Sequence, residues 1–353
     1  MILIEQQNWQ GCRTAILEYE NDCIYLYSYP HNDKSLIAKS LWIANTKKRI
    51  FSKSSITADA KKGLQPYMPK KLCNNAGFIK DYNNKENWFL QWGLDQNSIA
   101  VYFKDKIIAI LPEWSGLDGF YGYSLGCNET TALAWPLVEN NEEINRFLKE
   151  KIFLDSWDDS IWVEYQKTIL STYDLLYQGE TKYFAADGGK WPPLGIHYSK
   201  SPNLEFLATV GMSQLPMPLL EIKQESTESL RYIELALLFK HIDNFNPLAK
   251  YLSGQATFPW YQGTHLDHGH TIPCRELSEI GSDATFMLIV ENASFLPKVP
   301  ASFLGKISRR LLFMIPIYES ELNYIKANSS DDFLMKIKTT NIDPLDIFRS
   351  PIL

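Results

Sequence analysis

Alternation of apolar and polar positions predicts strands through much of the first half of the chain. Cys23–Tyr29 alternates tyrosines with smaller residues, which is typical of a β-strand. Trp88–Trp92 is a further predicted strand. Ser98–Phe103 and Ile107–Leu111 flank a short charged segment, Lys104–Lys106, and this arrangement predicts a hairpin. Residues 45–87 are polar and contain prolines, so we expect a long irregular connection there.

Helical spacing begins near the middle of the chain. Residues 139–154 read as a polar helix, and a second helix is expected from about Ser156, its candidate N-cap. Asp158 and Asp159 would then lie in the first turn, where the helix dipole favours negative charge. The apolar positions of this second helix recur with helical spacing: Ile161, Tyr165, Ile169, Tyr173 and Leu176.

The second half mixes predicted strands and helices. The strands are Leu204–Val210, Leu230–Phe239, Ala284–Val290 and Arg310–Ile317. The helices are Pro247–Leu252 and two segments near 318–328 and 330–338. This pattern predicts an α+β fold. We divide it into a β-rich N-terminal domain, 1–150, and a second domain, 151–353.

Size and charge restrict the function. A chain of 353 residues exceeds the size at which one hydrophobic core stops growing, which favours two domains. The net charge of -6 opposes nonspecific binding to nucleic acid or to an anionic membrane, because both require a positive field. The 10 Trp and 19 Tyr residues supply material for a core and for protein-binding surfaces.

The cysteines and the N-terminus predict a cytoplasmic location. The 5 cysteines are scattered without a C-x-x-C pair, which fits a reducing compartment and offers no zinc ribbon. Met1–Gln7 lacks the basic and apolar regions of a signal peptide. Neither a phosphate-binding nor a dinucleotide-binding glycine motif follows any predicted strand, so we expect no cofactor.

Gly122–Gly126 matches G-x-S-x-G, the nucleophile elbow of α/β-hydrolases. In such enzymes a strand runs through a tight bend into a helix and exposes the serine oxygen. Here a glycine-rich loop precedes the motif, and the residues after Gly126 are a poor helix start. A serine hydrolase using Ser124 is therefore an alternative function, and a structural glycine-rich loop is the favoured interpretation.

The loop His265–His270 contains the residues best suited to bind a metal ion: His265, Asp267, His268 and His270. So tight a loop cannot easily direct four side chains at one ion. We therefore predict no metal site, and a metal-dependent enzyme using this loop is kept as an alternative.

Several phrases together resemble the Suppressor of Fused family in its bacterial form, over roughly residues 160–338. They are Tyr183–Ile196, Thr209–Ser213 with Pro216–Pro218, Ile233–Leu238, Gly269–Pro273 beyond Phe258, and Met314–Tyr318 with Glu321. The resemblance implies a mixed sheet with flanking helices in the second domain. It departs from animal members at Gln214, where those members carry an acidic residue.

The resemblance implies that the chain is not an enzyme and works by binding another protein. Animal members hold a transcription factor in the cytoplasm, and bacterial members are proposed as immunity proteins of polymorphic toxin systems. A basic toxin is thus the expected partner of this acidic chain. The candidate partner-binding residues are aromatic: Trp114, Phe120, Tyr121, Tyr123, Trp260 and Tyr261.

Overall fold

The computed structural model describes residues 1–31, 38–48, 64–218, 228–300 and 309–353. These residues divide into two compact units. Unit 1 comprises residues 1–157 together with 260–263, and unit 2 comprises residues 158–259 and 264–353. The fold is α+β, because unit 1 consists mainly of strands and unit 2 combines one mixed sheet with helices.

Unit 1 contains two sheets. The first has the order β1-β2-β3-β4 and is antiparallel, and the second has the order β5-β6-β7-β8-β9. The strands are β1 (Ile2–Gln7), β2 (Arg13–Glu20), β3 (Cys23–Pro30), β4 (Lys39–Asn45), β5 (Trp88–Trp92), β6 (Ile99–Phe103), β7 (Lys106–Leu111), β8 (Tyr123–Ser124) and β9 (Trp135–Pro136).

The alternation in β3 separates a core face from an outer face. Ile24 and Leu26 are fully buried in the core of unit 1. Tyr25, Tyr27 and Tyr29 follow one another on the opposite face, with neighbouring ring centroids 6.0 and 5.9 Å apart. Tyr25 is itself buried, so the alternation of burial expected for a half-buried strand holds only from Leu26 to Tyr29.

The predicted hairpin is confirmed. Lys104 and Asp105 form its two-residue turn with φ of 49° and 63°, the left-handed values that a tight hairpin turn requires. Lys106 joins the second strand. Of the predicted irregular connection, residues 64–87 contain three short 3-10 turns and no strand, while 49–63 lie outside the described residues.

Unit 2 is built on a seven-stranded sheet with the order β10-β11-β12-β13-β16-β15-β14. Among the described strands, β13 and β16 pair in parallel and the other neighbours are antiparallel. The strands are β10 (Glu180–Ala185), β11 (Gly195–Lys200), β12 (Leu204–Val210), β13 (Ile233–Lys240), β14 (Thr271–Pro273), β15 (Phe286–Val290) and β16 (Arg310–Ile317).

Among the described residues, one helix lies wholly within unit 1, and several others flank the sheet of unit 2. The helices are α1 (Glu142–Asp155), α2 (Asp159–Leu176), α3 (Glu228–Arg231), α4 (Asn246–Gln255), α5 (Phe258–Gln262), α6 (Glu276–Glu279), α7 (Glu319–Ala327) and α8 (Ser330–Lys338). Helix α2 buries Ile169 and Tyr173 against the sheet, and α8 buries Phe333 in the same core. The mixed sheet with flanking helices is therefore present in unit 2.

Two local predictions were wrong. The N-cap of α2 is Asp158, whose carboxylate accepts from the N–H groups of Ser160 and Ile161 at 2.8 and 3.2 Å, whereas Ser156 caps the C-terminus of α1. Both residue types suit an N-cap, so only the position of the first helical turn separates them. The predicted strand from Leu230 begins instead at Ile233, after the short helix α3.

Candidate partner-binding site

Strand β10 forms an edge of the unit 2 sheet. It pairs with β11 on one side, and no other described strand pairs with its opposite side. All six of its residues are exposed. Tyr183 and Phe184 remain 37% and 42% exposed, which is unusual for adjacent aromatic residues in a strand. This edge therefore combines accessible backbone with accessible apolar surface.

The register identifies the backbone groups on the open side of β10. The N–H of Ala186 donates to the carbonyl of Leu194, so these residues form a hydrogen-bonded pair. Such pairs alternate with non-bonded pairs along an antiparallel ladder, and the β10–β11 register runs without a shift. The N–H and C=O groups of Thr181, Tyr183 and Ala185 therefore point away from β11.

The loop after β10 holds the strand in place. The carboxylate of Asp187 accepts from the N–H groups of Gly189 and Leu194 at 2.5 and 3.0 Å, which closes the loop on itself. The ring of Tyr183 lies against Gly195 in β11, where an added Cβ would fall 2.2 Å from the tyrosine oxygen. Glycine at this position therefore leaves the space that the ring of Tyr183 occupies over β11.

Glu234 in β13 forms the centre of a buried polar cluster. Its carboxylate accepts from the hydroxyls of Tyr165 (2.7 Å), Ser213 (2.9 Å) and Thr209 (2.5 Å). It also accepts from the N–H groups of Gly211 and Ser213 at 3.1 and 2.9 Å. Two phrases that carry the family resemblance, Thr209–Ser213 and Ile233–Leu238, thus meet helix α2 at one side chain.

The electrostatics of this cluster indicate a structural role. Burial raises the pKa of Glu234 above its ordinary value, and the hydrogen bonds from Thr209, Ser213 and Tyr165 act in the opposite direction. Burial and the nearby Glu234 raise the pKa of Tyr165, so its phenol stays protonated and donates. The carboxylate therefore links α2, β12 and β13 within the core.

The aromatic segment around Phe120 is partly a core. Phe120 is buried, and its ring packs edge-on against Tyr123 and Trp135, with centroids 5.0 and 4.8 Å apart. Trp114 stacks on Phe120 at 6.4 Å. Trp114, Tyr121 and Tyr123 are half-buried. Of the candidate anchors in this segment, these three offer accessible surface, and the buried Phe120 packs against two of them, Trp114 and Tyr123.

Trp260 and Tyr261 differ in exposure. Both lie in α5 and in the short segment 260–263 that groups with unit 1. Trp260 is buried, and its carbonyl accepts a weak hydrogen bond from the Cys12 thiol at 3.7 Å. Tyr261 is 40% exposed and is the more accessible candidate anchor of the pair.

Ser124 does not occupy a nucleophile elbow. It is the second residue of the short strand β8, and a parallel pairing with β9 follows instead of a helix. The side chain is fully buried, its hydroxyl donates to the carbonyl of Ile43 at 2.8 Å, and it accepts from the N–H of Gly126 at 3.1 Å. The hydroxyl thus joins β8 to β4, and this geometry does not support the hydrolase alternative.

Asp267 in the histidine loop is part of an ion pair. The buried guanidinium of Arg310 lies 2.7 Å from Asp267 and 2.8 Å from Glu291. Burial acts to raise the pKa of Asp267, but the hydrogen bond and the charge of Arg310 outweigh it, so this pKa lies below its ordinary value. The carboxylate therefore fastens the loop to β16.

The histidines of this loop have separate surroundings. His268 accepts from the N–H of Glu291 at Nδ1 (3.2 Å), and its Nε2 lies 3.1 Å from Asp331. The rings of His265 and His270 meet edge-on with centroids 5.1 Å apart. Across the described ranges, no three His, Cys, Asp or Glu side chains are grouped so that they could hold a metal ion.

Strand β10 was missed in the sequence, although a signal was present. Thr181, Tyr183 and Phe184 are residue types enriched in strands, and they follow Gly179, which marks a break. The intervening charges obscured the run.

Among the helices in the described part of the chain, none is long and apolar enough to cross a membrane.

Comparison with known proteins gives one family. Residues 190–350 match the sequence model of the Suppressor of fused protein (SUFU) family. No curated protein matches the chain. Several solved structures are similar at low identity, and three of them each align with about half of this chain. One is described as a SUFU homolog from Neisseria gonorrhoeae; it is 16% identical with a TM-score of 0.40, and the alignment covers 54% of this chain and 98% of that one. A Sufu–Fu complex is 13% identical with a TM-score of 0.39, and the alignment covers 53% of this chain and 92% of that one. Drosophila Suppressor of Fused is 14% identical with a TM-score of 0.37, and the alignment covers 53% of this chain and 51% of that one.

The family match covers the strands from β11 to β16 and the helices α7 and α8, together with the residues that surround Glu234 on the sheet. The resemblance inferred from the sequence phrases is thereby confirmed: residues 190–350 carry the sequence pattern of the Suppressor of fused family.

Proposed function

We propose that this chain is a non-catalytic protein-binding module, and that a partner protein docks by adding a strand to the edge of β10. One observation carries the proposal: β10 is an exposed edge whose outward N–H and C=O groups have no strand partner among the described residues. Main-chain hydrogen bonds to such an edge supply affinity, and side chains of alternate residues supply specificity. The family resemblance, which implies protein binding, supports the same role.

The partner we propose is a basic toxin, neutralised by direct binding in the cytoplasm. The net charge of -6 supports this choice, because opposite charge accelerates encounter between two proteins. All 5 cysteines are free thiols buried in the structure, which fits a reducing compartment. The chain would then act as an immunity-type protein.

The first experiment is affinity capture from native cells with the tagged chain, read by mass spectrometry. We expect one stoichiometric partner whose expression alone is toxic and whose toxicity is relieved by co-expression of this chain. A partner that is harmless alone would overturn the immunity role and leave protein binding standing. No captured protein under any growth condition would overturn the binding module itself.

A substitution in β10 tests the docking mode. Thr181→Pro removes an outward N–H without removing a hydrogen bond to β11, since Thr181 lies in a non-bonded pair. We expect it to weaken the partner complex about tenfold, equivalent to one main-chain hydrogen bond to the partner. Thr181→Val is the matched control, because it keeps both the shape and the N–H. Equal affinity of the two variants, with equal melting temperatures, would contradict docking at β10.

A further inference from the structure

The outer face of the first sheet of unit 1 combines tyrosines with carboxylates. Tyr25 and Tyr27 project from β3 on this face. Glu18 lies directly opposite Tyr25 in the β2–β3 register, and Glu5 lies on the same face through its pairing with Ile16. Directly opposed residues of an antiparallel pair project to the same side of the sheet. The face is therefore aromatic and negatively charged.

A pocket of about 280 Å³ opens on this face. Tyr27 and the nearly buried Tyr25 line it from the sheet, and Tyr121, Gln65 and Glu20 are further lining residues. None of its described lining residues is a lysine or an arginine. The volume is smaller than that of sites for drug-sized ligands and suits one long side chain.

Gln65 lines this pocket, and its side-chain oxygen is a buried acceptor. Its side chain is buried, with 4% exposed. The amide nitrogen donates to Glu18 Oε2 at 3.4 Å, while Oε1 has no hydrogen-bond partner among the described residues. A buried acceptor without a donor costs free energy, so a donor that enters beside Gln65 relieves that cost.

The tyrosines suit a cation as well. Burial raises the pKa of Tyr27 to about 12, so its ring stays a neutral phenol near neutral pH. The face of a neutral aromatic ring attracts a cation placed over it, and the attraction increases when the cation leaves water. Glu18 and Glu20 add negative potential from the adjacent strand.

We propose that this pocket binds the side chain of an arginine from a partner protein, a proposal that rests on the proposed function and names the chemistry of the partner. A guanidinium stacks on tyrosine rings and carries five donors in a fixed plane, enough to reach Gln65 and Glu20 at once. Lysine lacks the planar surface. Free arginine is disfavoured because its own carboxylate would face Glu18 and Glu20. The half-buried Tyr121, a predicted anchor, forms one wall of the site.

The test uses a capped Gly-Arg-Gly tripeptide titrated into the full chain by NMR. We expect saturable, weak binding of the order of millimolar, as suits a single side chain. The lysine peptide should bind about fivefold more weakly, because it cannot stack. A peptide with citrulline, the neutral counterpart of arginine, should not bind. Equal binding of arginine and citrulline, or tighter binding of free arginine than of the capped peptide, would overturn the proposal.

Variants distinguish binding of the tripeptide in this pocket from nonspecific attraction to the negative charge of the chain. Tyr27→Leu and Gln65→Leu should each weaken the tripeptide about tenfold, and Glu20→Gln about threefold. Glu139→Gln, the matched control, removes the same charge from an exposed carboxylate outside the pocket. An equal effect of Glu20→Gln and Glu139→Gln would show nonspecific attraction and reject the site.

Failure of this inference and failure of the proposed function have different signatures. A captured partner that binds Tyr27→Leu as tightly as the wild type overturns the pocket and leaves the binding module intact. The pocket is supported independently of β10 by two results together: the Tyr27→Leu variant no longer captures the partner, and the Thr181→Pro variant still binds the arginine tripeptide.

Discussion

The hydroxyl of Tyr165 in α2 donates to the carboxylate of Glu234 in β13 at 2.7 Å. The two residues lie 69 positions apart in the chain, and their contact attaches a helix to the centre of the unit 2 sheet. The same carboxylate accepts from residues of β12 and of the turn that follows it. Two of the segments that carry the family resemblance therefore meet in one buried cluster, and β10 lies at an edge of the same sheet.

Removing this hydroxyl should destabilise unit 2. We expect Tyr165→Phe to lower the free energy of unfolding by about 1.5–3 kcal/mol, the range for a buried hydrogen bond to a charged group. Tyr177→Phe is the matched control at the end of the same helix, since Tyr177 bonds the neutral hydroxyl of Ser201 at 2.9 Å. We expect the control to cost about 0.5–1.5 kcal/mol. Urea unfolding measures both, and an equal or larger cost for Tyr177→Phe would contradict a charged acceptor at Glu234.

A buried ion pair should dominate the stability of the C-terminal segment. Arg349 contacts Glu321 through two hydrogen bonds of 2.7 and 2.8 Å, and both side chains are almost wholly buried. Arg349→Met should lower the free energy of unfolding by about 3–5 kcal/mol, because it leaves the carboxylate buried and unpaired. Adding Glu321→Leu to this variant should restore part of the loss.

The control for this pair is an exposed one. Lys151 and Asp155 pair at 2.7 Å on the surface of α1. We expect Lys151→Met to change the free energy of unfolding by less than about 1 kcal/mol, as is usual for an exposed pair. A similar cost for Arg349→Met and Lys151→Met in urea unfolding would show that burial does not set the strength of the Arg349–Glu321 pair.

Lys39 should make the free energy of unfolding of unit 1 change with pH in the neutral to alkaline range. Burial lowers the pKa of Lys39 to about 7 from an ordinary value of 10.5, and the charge of Arg13 acts in the same direction. Between these two values the unfolded chain binds more protons at Lys39 than the folded chain. The free energy of unfolding contributed by this group therefore rises as the pH increases from about 7 to about 10.

The Lys39→Met variant provides the comparison, because it keeps a long side chain without the charge. Urea unfolding of wild type and variant at several pH values across this interval gives the difference in free energy. We expect the variant to be the more stable protein near pH 7 and its advantage to shrink as the pH rises. Parallel curves would indicate that Lys39 has an ordinary pKa.

Ser124 should be unreactive and structural. A fluorophosphonate probe should not label it, because its hydroxyl is buried and donates to Ile43. Ser124→Ala should cost about 1–3 kcal/mol of unfolding free energy, since a buried carbonyl then loses its donor. A serine hydrolase in the same tube controls for probe activity. Stoichiometric labelling that disappears in Ser124→Ala would establish the hydrolase alternative.

Strands with strong local patterns could be predicted from the sequence. Leu204–Val210 and Arg310–Ile317 have the predicted bounds, because a continuous apolar run of strand length depends little on distant residues. The N-cap of α2 was predicted at Ser156 and lies at Asp158. Several neighbouring residues satisfy the local preference for an N-cap, and tertiary packing selects one of them. The bounds chosen for the two predicted domains remain a prediction.

Less of the candidate site than of the fold could be predicted from the sequence. Phe120 lies in a segment predicted to be a glycine-rich loop, and it is buried in part by Trp135 of strand β9, which packs edge-on against it. Glu234 reads as one polar residue in an apolar run, and the chain gives no local sign that Tyr165, Thr209 and Ser213 converge on it. Contacts over such separations depend on the order of strands in the sheet.

The sequence by itself determined the α+β class, the hairpin at Lys104, the strong strands and the family resemblance, because local periodicity and turn chemistry carry that information. Only the tertiary structure decided which strand lies at the edge, which aromatic rings are covered and whether the Ser124 hydroxyl is accessible. These properties arise when distant segments exclude water from one another, and no local pattern records which segments will meet.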